Sequence, residues 1–264
     1  MASSVTVSTL RGMKQQGEKI AVLTAYDAAF ARVLDEAGVD VVLVGDTLGM
    51  VVQGQRSTVP VTVADMAYHI EMVSRGLQRA LLVGDLPFMS YATPEQALEN
   101  AATLMRAGAQ VIKLEGGEVM AETIYHLSSR GIPVCAHIGL LPQSVNKLGG
   151  YRFQGKTEDA ADLLRADATA VEEAGADMIV FECIPTKLAR DISQSLQIPT
   201  IGIGAGAACD GQVLVLYDLL GISARSPSFS KNYLSGAASI QQAIGNYVAE
   251  VKSGSFPDET HTLA

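Results

Sequence analysis

The sequence predicts a (β/α)8 barrel, and three observations carry that prediction. First, three short, nearly unbroken apolar runs stop abruptly on a carboxylate: VVLVGD at Asp46, LLVGD at Asp85 and VIKLE at Glu115. Runs of Val, Ile and Leu without polar alternation suit parallel strands covered on both faces. Second, eight such candidates alternate with helical segments at barrel spacing. Third, 264 residues is the usual size of one barrel. A doubly wound open sheet is the main competitor on pattern alone. A charge that ends a buried strand has to leave the core and sit at the rim. Barrel strands all point one way, so the three acids gather at the C-terminal mouth, where barrel enzymes keep their active sites. Carboxylate oxygens converging there make a hard-cation site, most naturally for Mg²⁺. Any one of these acids, taken alone, reads equally well as a solvated strand end or a helix cap.

Composition narrows the class. A hydrophobic fraction of 48% with 25 Gly is ordinary for an α/β protein. A net charge of −9 and no basic stripe argue against a nucleic-acid partner. Cys135, Cys183 and Cys209 form no C-x-x-C pair and read as reduced thiols of a cytoplasmic protein. MASSVTVSTL lacks the pattern of a secretory signal, and no apolar run approaches the ~20 residues that span a bilayer. The expectation is one barrel domain over residues 1–264, with a lead-in (about 1–19) and a frayed tail (about 253–264).

The elements follow in order. After a polar lead-in helix or arm, IAVLTAY (20–26) is the first strand. Asp27 caps the helix DAAFARVLDEAG, with Gly38 in the C′ role. Strand two is 40–46, and TLGMVVQGQRSTVPVT (47–62) reads as an irregular loop over the mouth before the helix VADMAYHIEMVSRG. Strand three is 80–85. Thr93, Pro94 and Gln96 start the next helix as N-cap, first helical residue and capping-box partner. Strand four is 110–115, and strand five, IPVCAHI, ends near His137. Residues 139–155 are glycine-rich and aperiodic, as a lid or binding loop would be. Thr157 opens a long helix, and strand six, DMIVFE, finishes on Glu182. IPTIGIGAG is strand seven, VLVLYDLLG strand eight, and a last helix covers about 237–252.

The candidate chemistry lies at the strand ends. Asp46, Asp85 and Glu115 close three neighbouring strands and form the metal arc. Glu182 closes strand six across the mouth, free to move a proton. Lys113, two residues before Glu115, points to the same side and must pair with a carboxylate or bound anion. His137 lies between the arc and Glu182, equally a satisfied core histidine or a substrate contact. Gly202, Gly204 and Gly206 could offer backbone N–H groups to an anion or let a flat ligand approach closely.

Several longer motifs carry a family resemblance: TAYDAAFARVLDEAGVDVVLVGDTLGMVVQG, VPVTVADM, DLPFMSYATPEQALENAATLMRAGAQVIKLEGG, GLLPQSVNKLGGYRFQG and IGIGAGAACDGQVLVLYD. With these the chain resembles ketopantoate hydroxymethyltransferases over about residues 6–257. Thr47, Ala136, Leu141 and Ser228 depart from the residues usual there, and Thr47 keeps the hydroxyl. The resemblance implies a barrel of the phosphoenolpyruvate mutase/isocitrate lyase type, assembled as a homodecamer. It implies Mg²⁺ on Asp46, Asp85 and Glu115, substrate contacts at Asp46, Thr47, Asp85 and Lys113, and Glu182 as proton acceptor. The reaction implied is hydroxymethyl transfer from 5,10-methylenetetrahydrofolate to 3-methyl-2-oxobutanoate, giving 2-dehydropantoate for pantothenate biosynthesis. A Mg²⁺-dependent C–C lyase on a 2-oxo or 2-hydroxy acid is the alternative, because it would use the same chelate. A glycoside hydrolase is disfavoured by the absence of Trp and only 5% aromatic residues. A non-catalytic scaffold should lack one of the four acids or Lys113, and none is missing.

Overall fold

Eight parallel strands form and close in sequential order into a barrel, β1 (Ile20–Thr24) pairing with β8 (Gly211–Leu214). The computed structural model describes residues 4–262. Helix α1 (Val7–Gln16) precedes β1, and α2 (Ala28–Glu36), β2 (Val41–Val44), α3 (Leu48–Val51) and α4 (Val63–Ser74) follow it. Then come β3 (Leu81–Asp85), α5 (Pro94–Ala107), β4 (Val111–Glu115), α6 (Ala121–Ser128) and β5 (Val134–Gly139). The chain continues through α7 (Val145–Leu148), α8 (Glu158–Glu173), β6 (Met178–Glu182), α9 (Thr186–Ser195) and β7 (Thr200–Ile203). After β8 come α10 (Leu216–Leu219) and α11 (Ile240–Ser253).

Period-two alternation sorts the strand residues into two cores. Val42, Leu82, Ile112, Ala136 and Ile179 face outward and pack with the surrounding helices. Their neighbours Val41, Leu81, Val83, Val111, Cys135, Met178 and Val180 fill the barrel interior. Leu10 and Met13 of α1 join that interior cluster, so the lead-in helix covers one end of the barrel. Toward the other end, the inward register reads Leu81, Val83, Asp85 on β3 and Val111, Lys113, Glu115 on β4. It reads Cys135, His137 on β5 and Met178, Val180, Glu182 on β6. The apolar column turns polar at its last inward positions, and that change builds the site.

Helix starts follow local chemistry. Asp27 accepts hydrogen bonds from the N–H groups of Ala29 and Phe30, and Thr157 accepts from Ala160. Thr93 accepts from Gln96 N–H as expected. The Gln96 side chain, however, returns to Ala92 N–H instead of Thr93, so the box is offset by one residue.

Other expectations change: the loop expected over 139–155 contains the short helix α7, and β2 ends at Val44, two residues short of Asp46. The loop after strand two contains the short helix α3. Strand eight starts earlier, at Gly211, and Leu216–Leu219 is helical, because an apolar run alone does not separate a buried strand from a buried turn. The tail is not frayed over its described length: Phe256 is buried against Tyr233 and Tyr247, where its ring replaces water contact with aromatic packing. Residues 1–3 of the predicted lead-in and 263–264 of the predicted tail lie outside the described residues.

Candidate active site

The strand ends meet as two linked groups. In the first, Lys113 Nζ donates to Asp85 Oδ1 at 2.6 Å, and Asp46 N–H donates to Asp85 Oδ2 at 3.1 Å. Burial disfavours the charged form of Lys113, but Asp85, Glu115 and Asp46 outweigh that and hold it charged. In the second, His137 lies between two acids, Nδ1 3.5 Å from Glu115 Oε1 and Nε2 3.2 Å from Glu182 Oε2. Neither contact has hydrogen-bond alignment, so both are ion-pair contacts. Burial and the nearby Lys113 charge pull the imidazole pKa down, and the flanking carboxylates overcome both and raise it to about 9. The two carboxylates thus favour the protonated form of the imidazole. His137 also joins Glu182 to the other acids, so Glu182 is less isolated than its place across the mouth suggested.

Asp46, Asp85, Lys113, Glu115 and His137 are all buried, while the Glu182 side chain retains 14% exposure. Glu182 and Thr47 line a cavity of about 820 Å³ at the mouth. Met50, Tyr151, Phe153, Tyr217 and Phe229 form its walls. A carboxylate at the edge of such a cavity, with charged partners packed behind it, can serve a reaction on a bound small molecule.

The three acids of the arc share the mouth, yet they do not close on one point. Among the described residues, no three His, Cys, Asp or Glu side chains are set to hold a single ion. Asp85 is turned to Lys113, and Asp46 and Glu115 are each engaged by a residue that sequence reasoning missed, Gln143. The donor chemistry still fits a hard cation. Asp46, Asp85, Glu115 and Glu182 set four carboxyl groups against Lys113 and His137, so the cluster is short of positive charge; burial, then the Asp85 and Glu115 charges, push the Asp46 carboxyl well above the usual range. Mg²⁺ is commonly held by one or two carboxylates with water completing its shell, which does not require three to converge. Tyr91 was missed as well; its hydroxyl donates to Gln143 Oε1 at 2.5 Å. Gly202 within β7 and Gly204 and Gly206 after it are closely packed: a Cβ there would meet Cys209, Phe229 or Thr186 respectively. All three cysteines are buried and free.

The fold is a closed (β/α)8 barrel, like that of solved structures described as members of the phosphoenolpyruvate mutase/isocitrate lyase superfamily. A phosphonopyruvate hydrolase structure superposes with a TM-score of 0.63 at 13% identity, covering 82% of this chain and 83% of that one. A 2,3-dimethylmalate lyase, described as a member of that superfamily, gives 0.59 at 22% identity, covering 84% and 83%. The chain belongs to the ketopantoate hydroxymethyltransferase family, whose model matches residues 4–259. A 3-methyl-2-oxobutanoate hydroxymethyltransferase of Thiobacillus denitrificans is 61% identical over 98% of this chain and 99% of its own length. One of the same name from Nitrosococcus oceani is 58% identical over 96% and 97%.

Proposed function

We propose that the chain catalyses hydroxymethyl transfer from 5,10-methylenetetrahydrofolate to 3-methyl-2-oxobutanoate, forming 2-dehydropantoate. Family membership supports the reaction, and the observation that carries it to this chain is Glu182 at the cavity edge beside a buried, acid-rich cluster. Asp46, Asp85 and Glu115 would hold Mg²⁺, which when bound withdraws electrons from the keto group of the 2-oxo acid. Lys113, held charged against Asp85, balances the substrate's carboxylate, and Asp46, Thr47 and His137 complete its contacts. Glu182 takes the C3 proton. The resulting enolate forms the new C–C bond as one C–N bond of the methylene bridge opens, and that nitrogen takes the proton held by Glu182; water then replaces the second nitrogen, leaving its OH on the carbon and its other proton on the departing tetrahydrofolate. The 820 Å³ cavity gives the second substrate room beside Glu182. Apolar side chains left on the surface support assembly into a larger oligomer, a decamer by the resemblance. Among the described residues no helix is long and apolar enough to cross a membrane.

The half-reaction tests the reading. With Mg²⁺ and no folate, the protein should exchange the C3 hydrogen of 3-methyl-2-oxobutanoate for deuterium, followed by proton NMR. Glu182→Gln should lose exchange while still binding the 2-oxo acid, because the amide keeps the volume and accepts no proton. Exchange at the wild-type rate in that variant would remove Glu182 as the base. Product formation should require both methylenetetrahydrofolate and Mg²⁺.

A further inference from the structure

The loop between β5 and α8 sends one neutral side chain into the acid cluster. Gln143 is 5% exposed, although Lys147 and Arg152 of the same loop are exposed. Its Nε2 donates to Asp46 Oδ2 at 2.8 Å and to the Leu86 carbonyl at 2.9 Å. Its Oε1 accepts from the Tyr91 hydroxyl, and its backbone N–H donates to Glu115 Oε2 at 3.1 Å. The orientation of the amide is fixed by its partners: the carboxylate and carbonyl only accept, so the nitrogen must face them. One residue thus spans groups that follow β2 and β3 and the acid that ends β4.

From this geometry we infer that Gln143 is a positioning residue. Its carboxamide sets Asp46 and Glu115 relative to each other and latches the loop over the mouth. Pro142, Tyr151 and Phe153 of that loop line the cavity, so the latch couples the cavity wall to the placement of the acids. A glutamine suits this task because one planar group offers two donors and an acceptor. Glutamate at 143 would present oxygens to the Asp46 carboxylate, and methionine would fill the space without any bond. The effect on turnover rests on the proposed function; the latch itself does not.

Limited trypsin digestion of the metal-free protein reads the latch directly. Gln143→Met and Gln143→Glu should each speed cleavage after Lys147 or Arg152 by about tenfold or more, the factor expected for losing hydrogen bonds to charged partners. Tyr91→Phe removes one hydroxyl and little volume, and should speed cleavage in the same direction by a smaller factor. Titration calorimetry with Mg²⁺ alone should show about tenfold weaker binding to Gln143→Met, on the same basis. A loosened loop with Mg²⁺ affinity intact would overturn the positioning role. Wild-type cleavage rates in all three variants would overturn the latch. If the wild-type protein bound Mg²⁺ yet failed to transfer a hydroxymethyl group, the proposed function would fail while these measurements still decided the role of Gln143.

Discussion

At the residue scale, the Lys113–Asp85 pair shows how a barrel tolerates charge near its core. The two side chains are 6% and 3% exposed, so each depends on the other for the solvation it has lost. Lys113→Met should therefore cost about 3–5 kcal/mol of stability, the range for a buried charge left without its partner. Adding Asp85→Asn should recover most of that loss, because the pair together contributes little beyond its own desolvation. Urea unfolding at neutral pH checks both values. His137 makes a prediction of the opposite pH sense from a buried acid. Its pKa rises from 6.5 to about 9 on folding, so its stabilising effect is complete below about pH 6.5 and is lost as pH passes through 9. In metal-free buffer, the melting-temperature gap between wild type and His137→Gln should narrow across that window. An unchanged gap would mean that the imidazole gains no proton affinity between Glu115 and Glu182. Lys113 was legible in the sequence because period two ties it to Glu115. Gln143 was not, since a neutral residue in an aperiodic loop carries no pattern and its Asp46 partner lies 97 positions away.

At the element scale, closure depends on the seam where β8 meets β1. Tyr247 of α11 is fully buried, and its hydroxyl lies 2.9 Å from Val22 O and 2.8 Å from Gln212 O, bridging the two strands. Tyr247→Phe keeps the ring packing and removes only that bridge. It should cost about 1–3 kcal/mol, the range for losing the donor to buried acceptors. Thermal unfolding measures this, and a loss well below that range would mean that the two carbonyls are satisfied without the hydroxyl. The seam was also the hardest boundary to read from sequence. Gly211 and Gln212 carry no strand propensity and are strand only through their pairing with Ile20 and Ala21. VLVLYDLLG looks like one strand because both Val213–Leu214 and the helical turn after it are buried. Strands three and four were easier, for a physical reason: each ends on a carboxylate that leaves an apolar wall, and that transition is written in the residues themselves.

At the scale of the whole molecule, the outer surface bears on how copies assemble. Val119 is 81% exposed, Leu163 68%, and Tyr68 and Tyr125 each 61%. Val119 precedes α6, Tyr125 lies on it, and Leu163 lies on α8, which packs against α6 and the turn before it. Large apolar side chains on neighbouring elements are the material of a subunit interface. Each copy also carries a net charge of −9, so bringing several together costs repulsion that salt relieves. Two outcomes follow for a decamer. Light scattering after size-exclusion chromatography should give about ten times the 27.7 kDa of one chain at ~0.15 M salt, where the Debye length is ~8 Å. At ~0.01 M salt, where it reaches ~30 Å, smaller species should increase. Leu163→Glu and Val119→Asp each place a further negative charge where an apolar contact would form. Either should shift the population toward smaller species at both salt levels, while far-UV circular dichroism stays that of the folded barrel. If the mass is unchanged in both variants, this face is open to solvent and the contacts lie elsewhere. If the wild-type protein runs as a single chain at every salt concentration, the decamer itself is excluded.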